Sequence, residues 1–168
     1  MEKQYWEDPL VFKINKEDGH AIAMPYDDVD SALSGDESSY KQSLNGMWKF
    51  YWQRGMKKQP KNFERLGFND SEWDEIKVPS VWQTQGYSVP YYYASTFPRV
   101  ISRSRHRIPH INHKMQEIGF YRRSFNVSDA WAGREVFVHF GAAKAALEVY
   151  INGSFVGYSQ GSMTPHEF

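Results

Sequence analysis

The stretch Glu148 to Gln160, EVYINGSFVGYSQ, decides the fold. Leu147, Val149 and Ile151 alternate with Glu148 and Tyr150, which is the two-residue period of a half-buried strand. Asn152-Gly153 follows where a type I′ turn belongs, and Phe155 to Tyr158 supplies the returning strand. The prediction is a β-hairpin.

The same period extends outward. Val136, Val138 and Phe140 alternate with Phe137 and His139, predicting another half-buried strand. Asn45-Gly46 reads as a turn pair, and the aromatic run Trp48 to Trp52 after it fills both faces of a buried strand. Pro60, Gly67 and Asn69-Asp70 mark loops. Val78 precedes Pro79 and is pushed to extended angles, so a strand ends there, and Trp82 and Gln83 fall in an ordered loop. No segment carries a helical period of three turns, so the chain reads as an all-β antiparallel sandwich of five or six strands.

Composition narrows the function classes. The chain has 168 residues, 40% of them hydrophobic, with 6 Trp, 11 Tyr and 11 Phe, enough for one folded domain. Twenty basic and twenty acidic residues cancel, which does not suit nucleic acid as a partner. No run approaches a membrane helix, and the N-terminus, MEKQYWEDPLVF, has no apolar signal core. Zero cysteines exclude disulfides and thiolate chemistry without choosing a compartment, so a cytoplasmic protein and a periplasmic or secreted one with its signal removed both stay open.

Five segments together resemble the N-terminal sugar-binding domain of glycoside hydrolase family 2, and within it the β-galactosidases: LNGMWKFYW at 44–52, FNDSEW at 68–73, VPSVWQTQGYSVPYY at 78–92, GFYRRSFNV at 119–127 and EVYINGSFVGYSQ at 148–160. The resemblance implies a galactose-binding-like jelly roll. A jelly roll has about eight strands, so five or six, with the pattern still running at Phe168, lead us to expect a fragment. Trp6, Glu7, Pro9, Asn15, Lys16, Glu17 and His20 resemble the arm that precedes this domain and helps hold subunits together. The expected division is an extended arm over 1–43, with 27–40 as a polar surface connector, and an incomplete jelly roll over 44–168. A loosely attached tail with a few apolar anchors is the competing reading of the arm.

The resemblance places both catalytic glutamates of a retaining glycosidase in a later barrel domain, together with any divalent cation, so no catalytic residue, metal or cofactor is assigned here. Glu117, Glu135, Glu148 and Glu167 read as solvated charges. Trp82, Gln83, Gly86, Tyr87 and Pro90 offer rings for a pyranose face and amides for its hydroxyls, but read equally as scaffold. The resemblance points to Pro90 to Pro98, PYYYASTFP, as the loop that reaches a sugar subsite, with Tyr92 and Tyr93 at the first two positions of a Tyr-Thr-Asn motif and Ala94 at the Asn. A methyl group makes no hydrogen bond, so Ser95 or Tyr93 compensates or the substrate differs.

Three further patterns have plainer explanations. Gly157-Tyr158-Ser159-Gln160-Gly161 matches a nucleophile elbow but follows a hairpin rather than a parallel strand. His106, His110 and His113 have helical metal-site spacing, yet Pro109 interrupts it and Arg103, Arg105, Arg107 and Lys114 repel a cation. Asn69, Asn126 and Asn152 head glycosylation sequons that read as turn geometry.

The resulting expectation is a supporting domain of a β-galactosidase-like hydrolase, inactive alone, whose partners are a β-galactoside, the missing catalytic domain and further copies of itself. A β-glucuronidase, a β-mannosidase and a free-standing carbohydrate-binding module are the alternatives.

Overall fold

A computed structural model describes residues 5–35, 37–90 and 110–168. The strands are β1 (Lys13–Ile14), β2 (Gly46–Arg54), β3 (Asp74–Val78), β4 (Glu117–Arg122), β5 (His139–Phe140), β6 (Ala146–Ile151), β7 (Ser154–Gln160) and β8 (His166–Glu167). Pairing is antiparallel throughout, in sheets ordered β1-β7-β6, β3-β2-β4 and β5-β8. The described residues thus form an all-β sandwich. Its one α-helix is α1 (Val29–Ser34). No helix among them is long and apolar enough to cross a membrane.

The predicted hairpin is β6-β7. Asn152 and Gly153 have φ of 52° and 85°, the double positive φ of a type I′ turn, and Ile151 pairs with Ser154 across it. The register then slips, because Val149 faces Gly157 and Tyr150 faces Phe155, leaving Val156 as a bulge. Its carbonyl is taken by the Asn15 side chain at 2.8 Å. Asn15, at φ 51°, ends β1, whose Lys13 and Ile14 pair with Ser159 and Tyr158. Gly157 permits this approach, since a Cβ there would stand 2.6 Å from the Ile14 carbonyl oxygen and 2.5 Å from the Phe168 ring.

The aromatic run packs rings on both faces of β2, but only Phe50 is buried, and Tyr51 on the opposite face stays 38% exposed, so the expected burial of both faces is not met. On one face Phe50, fully buried, meets Tyr121 at 4.7 Å between ring centroids and Tyr87 at 4.8 Å, with buried Ile76 beside them on β3. On the other, Tyr51 lies against Trp73 and Phe120. Phe63 touches Phe120 at 4.9 Å and Tyr150 at 5.7 Å, so one loop ring joins the two three-stranded sheets.

Several expectations need correction. The described residues contain eight strands rather than five or six, because β1 and β8 have two residues each and show no readable period, while the strand expected over 136–140 shrinks to the two residues of β5. Val136 and Phe137 are exposed and outside any strand, and only Val138, which exchanges both backbone hydrogen bonds with Phe168, extends the β5-β8 pairing. Asn45-Gly46 is no hairpin turn. Gly46 opens β2 opposite Val78, and Arg123 donates to the Leu44 and Asn45 carbonyls at 2.8 and 2.9 Å. The connector 27–40 contains α1, capped by the Asp28 carboxylate on the Ser31 amide at 2.7 Å and closed by Gly35 at φ 74°. The Trp131 indole N–H fastens it further by donating to the Ser39 carbonyl at 3.0 Å.

Candidate functional site

The loop expected to hold Trp82 and Gln83 starts where β3 ends at Val78, as the following proline requires. Trp82–Gln85 form a 3-10 turn, closed by Gly86 at φ 94° and by the Tyr87 amide donating to the Trp82 carbonyl at 3.1 Å. The Trp82 ring lies over Gly119 of β4, where a Cβ would come within 2.7 Å of it and within 2.8 Å of Phe50. Its indole N–H is buried with no hydrogen-bond partner. Tyr87 packs edge-on against Phe50, and its hydroxyl donates to Asp74 Oδ2 at 2.8 Å. Burial first, and that hydrogen bond second, push the Tyr87 phenol above its ordinary pKa. Ser88, at φ 64°, donates to Glu117 Oε1 at 2.6 Å.

Trp82 and Tyr87 therefore come together on Phe50, with Gly86 between them as the left-handed residue. Gln83 is half-buried and Pro90 exposed. Tyr92, Tyr93, Ala94 and Ser95 lie outside the described residues. Sequence reasoning missed the Gly119 seat and the Asp74 and Glu117 acceptors. A glycine inside a strand pattern marks close approach, so Gly119 was the available signal.

The acidic residues are more engaged than expected. Glu117 accepts from Ser88, and Glu148 accepts from the hydroxyls of both Tyr5 and Tyr150. Burial first, then that carboxylate, raises both phenols above their ordinary pKa. Glu167 lies between His139 Nδ1 at 2.7 Å and His20 Nε2 at 2.6 Å, and only Glu135 of the four remains a plain exposed charge.

Ser159 is fully buried near the end of β7, sharing a 2.8 Å hydrogen bond with His166 Nδ1. His166 Nε2 has no partner, and burial lowers the imidazole's proton affinity. An activated serine needs exposure and a base oriented by a third group. This one has no exposure. The flanking glycines have packing reasons instead: the approach of Ile14 and Phe168 to Gly157, and φ 120° at Gly161.

His106 also lies outside the described residues, while His110 and His113 both reach Glu7, at 3.5 and 2.7 Å. Among the described residues no three His, Asp or Glu side chains are arranged to hold a metal ion. Of the sequon asparagines, Asn69 accepts from the Ser71 amide at 3.0 Å and Asn152 is the I′ turn residue. An open concavity of about 380 Å³ is lined by Trp6, Met56, Gln59 and His113, none of them from the 82–90 loop.

The sequence profile described as "Glycosyl hydrolases family 2, sugar binding domain" matches residues 41–168. A β-galactosidase of Priestia megaterium is 40% identical over 162 residues, covering 95% of this chain and 16% of that protein. One from Halalkalibacterium halodurans is 35% identical over 161 residues, covering 96% of this chain and again 16% of the relative. The β-galactosidase large subunit of Lactobacillus helveticus is 31% identical, covering 96% of this chain and 27% of the subunit. The chain thus spans about a sixth to a quarter of the length of these relatives. Its match over 41–168, on an antiparallel sandwich, places it in glycosyl hydrolase family 2 as that family's sugar-binding domain.

Proposed function

We propose that this chain serves as the sugar-binding domain of a β-galactosidase-type retaining hydrolase that removes terminal β-galactosyl groups, supporting a catalytic barrel supplied by further sequence. One observation carries the reading: β-galactosidases match nearly the whole chain while the chain covers only about a sixth of their length. The side chains agree with a supporting role. Retaining hydrolysis needs two carboxyl groups about 5 Å apart, one of them free to act as nucleophile. Here Glu7 and Glu167 are each bound by two imidazoles and Glu148 by two phenols.

Within this reading, residues 1–43 are an arm laid along the body and 44–168 are the jelly roll. Trp82, Gly86 and Tyr87 fix the base of a loop whose tip, Tyr92 to Ser95, contacts the sugar. Ala94 leaves one hydroxyl of the galactosyl group without an amide partner. The assembly is a homo-oligomer, with the arm as one of its contacts.

The test is a panel of nitrophenyl glycosides offered to a long protein carrying this chain and to the chain alone. The expected result is β-galactoside turnover by the long protein only. Preference for a β-glucuronide or β-mannoside would overturn the substrate, and turnover by the isolated chain would overturn the supporting role.

A further inference from the structure

The N-terminal segment is fastened at both ends by the same device. At its start, Glu7 follows Tyr5 and Trp6 in a 3-10 turn and is only 12% exposed. One carboxylate oxygen accepts from the Ile111 amide at 2.9 Å and meets His113 Nε2 at 2.7 Å, while the other faces His110 Nδ1 at 3.5 Å. At the far end, His20 Nε2 meets Glu167 of β8 at 2.6 Å, and the other oxygen of Glu167 meets His139 Nδ1 of β5 at 2.7 Å. The Glu17 amide donates to the Glu167 carbonyl at 2.9 Å beside this second cluster. Among the described residues the segment is also held by the two-residue pairing of β1, the Asn15 side-chain bond, the Gln160 amide on the Phe12 carbonyl, the Tyr5 hydroxyl donating to Glu148, and Tyr5 packed edge-on against Tyr158.

From these two carboxylates, Glu7 gripped by His110 and His113 across the seam between segment and body, and Glu167 joined to His20 across it and to His139 within the body, we infer that docking of residues 5–20 is a proton-linked clamp that closes in mildly acidic solution and loosens as the imidazoles lose their protons. Each imidazole gains a full ion pair when it takes a proton. The charged surroundings differ at the two ends. Among the described residues, Arg54, Lys57 and Lys114 share a concavity with His113, whereas Glu17 lies near His20 and favours its protonation. Lys16, on the same segment, acts on His166 next to Glu167.

The sense of the pH dependence is fixed by the groups. His20 is raised above its ordinary 6.5, first by the Ala21 carbonyl and then by Glu167, so its contribution is full below 6.5 and is lost as pH rises through the raised value. Glu7 is lowered below 4.5 chiefly by the Ile111 amide, and Glu167 chiefly by His139. Their contributions are present above 4.5 and are lost as pH falls further. The clamp is therefore tightest between about pH 4.5 and 6.5.

Two backbone amides report it directly, Glu17 N–H on the Glu167 carbonyl and Ile111 N–H on the Glu7 carboxylate. Hydrogen-exchange protection factors at these amides, corrected for intrinsic rate, should fall about fivefold from pH 5.5 to 8, the scale of exposed ion pairs. The E7Q/E167Q protein should show no such fall. A flat wild-type profile, or an unchanged response in the double variant, would overturn the clamp. His20→Gln, which removes only an exposed imidazole, keeps the test available if the double variant does not fold. It should abolish the response at Glu17 and leave that at Ile111, and any other pattern rejects two independent fasteners. An NMR titration gives a readout that packing alone would not move: E167Q should lower the midpoint of His20, and an unchanged midpoint would refute the pairing.

Discussion

Substituting Gly119 by alanine tests the seat beneath the loop turn. Gly119 lies in β4 opposite Trp52 with no positive φ, so alanine fits its backbone. Removing glycine from a strand should by itself stabilise by roughly 0.5 to 1 kcal/mol. Against this, the new methyl carbon would stand 2.7 and 2.9 Å from two Trp82 ring atoms and 2.8 Å from Phe50, all inside contact distance. Neither ring yields easily, because Phe50 is fully buried and also packs on Tyr87 and Tyr121. Overpacking of this kind costs about 1 to 3 kcal/mol. The net loss should be about 1 to 2 kcal/mol. Urea unfolding at constant m-value measures it, and Trp82→Leu in the same background should recover part of it because two of the three contacts go. A Gly119→Ala protein as stable as the parent, or a loss that Trp82→Leu does not reduce, would refute the seat.

Three further outcomes are expected. Gly157→Ala should cost more than Gly119→Ala, on the order of 3 kcal/mol or above, because the Ile14 carbonyl at 2.6 Å is backbone and cannot rotate away; equal losses in urea unfolding would contradict this. Alkaline titration followed by tyrosinate absorbance should show phenols that ionise only as the chain unfolds. Burial pushes Tyr121 up to about 12 and raises Tyr5 and Tyr150, so the unfolded state loses protons first and stability falls as pH rises past 10; ordinary non-cooperative ionisation near 10 would refute the buried phenols. Ala94→Asn in a long protein carrying this chain should tighten galactoside binding about fivefold by restoring one neutral hydrogen bond, and an unchanged KM would remove Ala94 from the sugar subsite.

What was readable in the sequence followed local chemistry. Asn152-Gly153 announced its own turn, and the Leu147 to Ile151 alternation its own strand, because both signals lie within a few residues of what they specify. The end of β3 at Val78 was legible for the same reason. The two-residue strands were not, since β1 exists only because a bulge at Val156 and the absence of a side chain at Gly157 let the N-terminal segment approach. Nor were the carboxylate clusters, whose partners are separated by 28 to 147 residues and look like isolated surface charges until the sheets assemble. The Asp28 cap and Gly35 stop of α1 were present in the sequence, but six residues are too few to carry a helical period. For the candidate site, Trp82, Gly86 and Tyr87 could be singled out in the sequence, while their support by Gly119, Asp74 and Glu117 came only with the register of β2, β3 and β4.

The most direct test of the central claim is a chimera of the Priestia megaterium β-galactosidase in which this chain replaces the 162-residue matching segment, assayed on nitrophenyl β-galactoside beside the deletion of that segment and beside the chain alone. Turnover is expected from the chimera, with none from the deletion and none from the chain. A folded chimera without activity, or hydrolysis by the isolated chain, would contradict the claim.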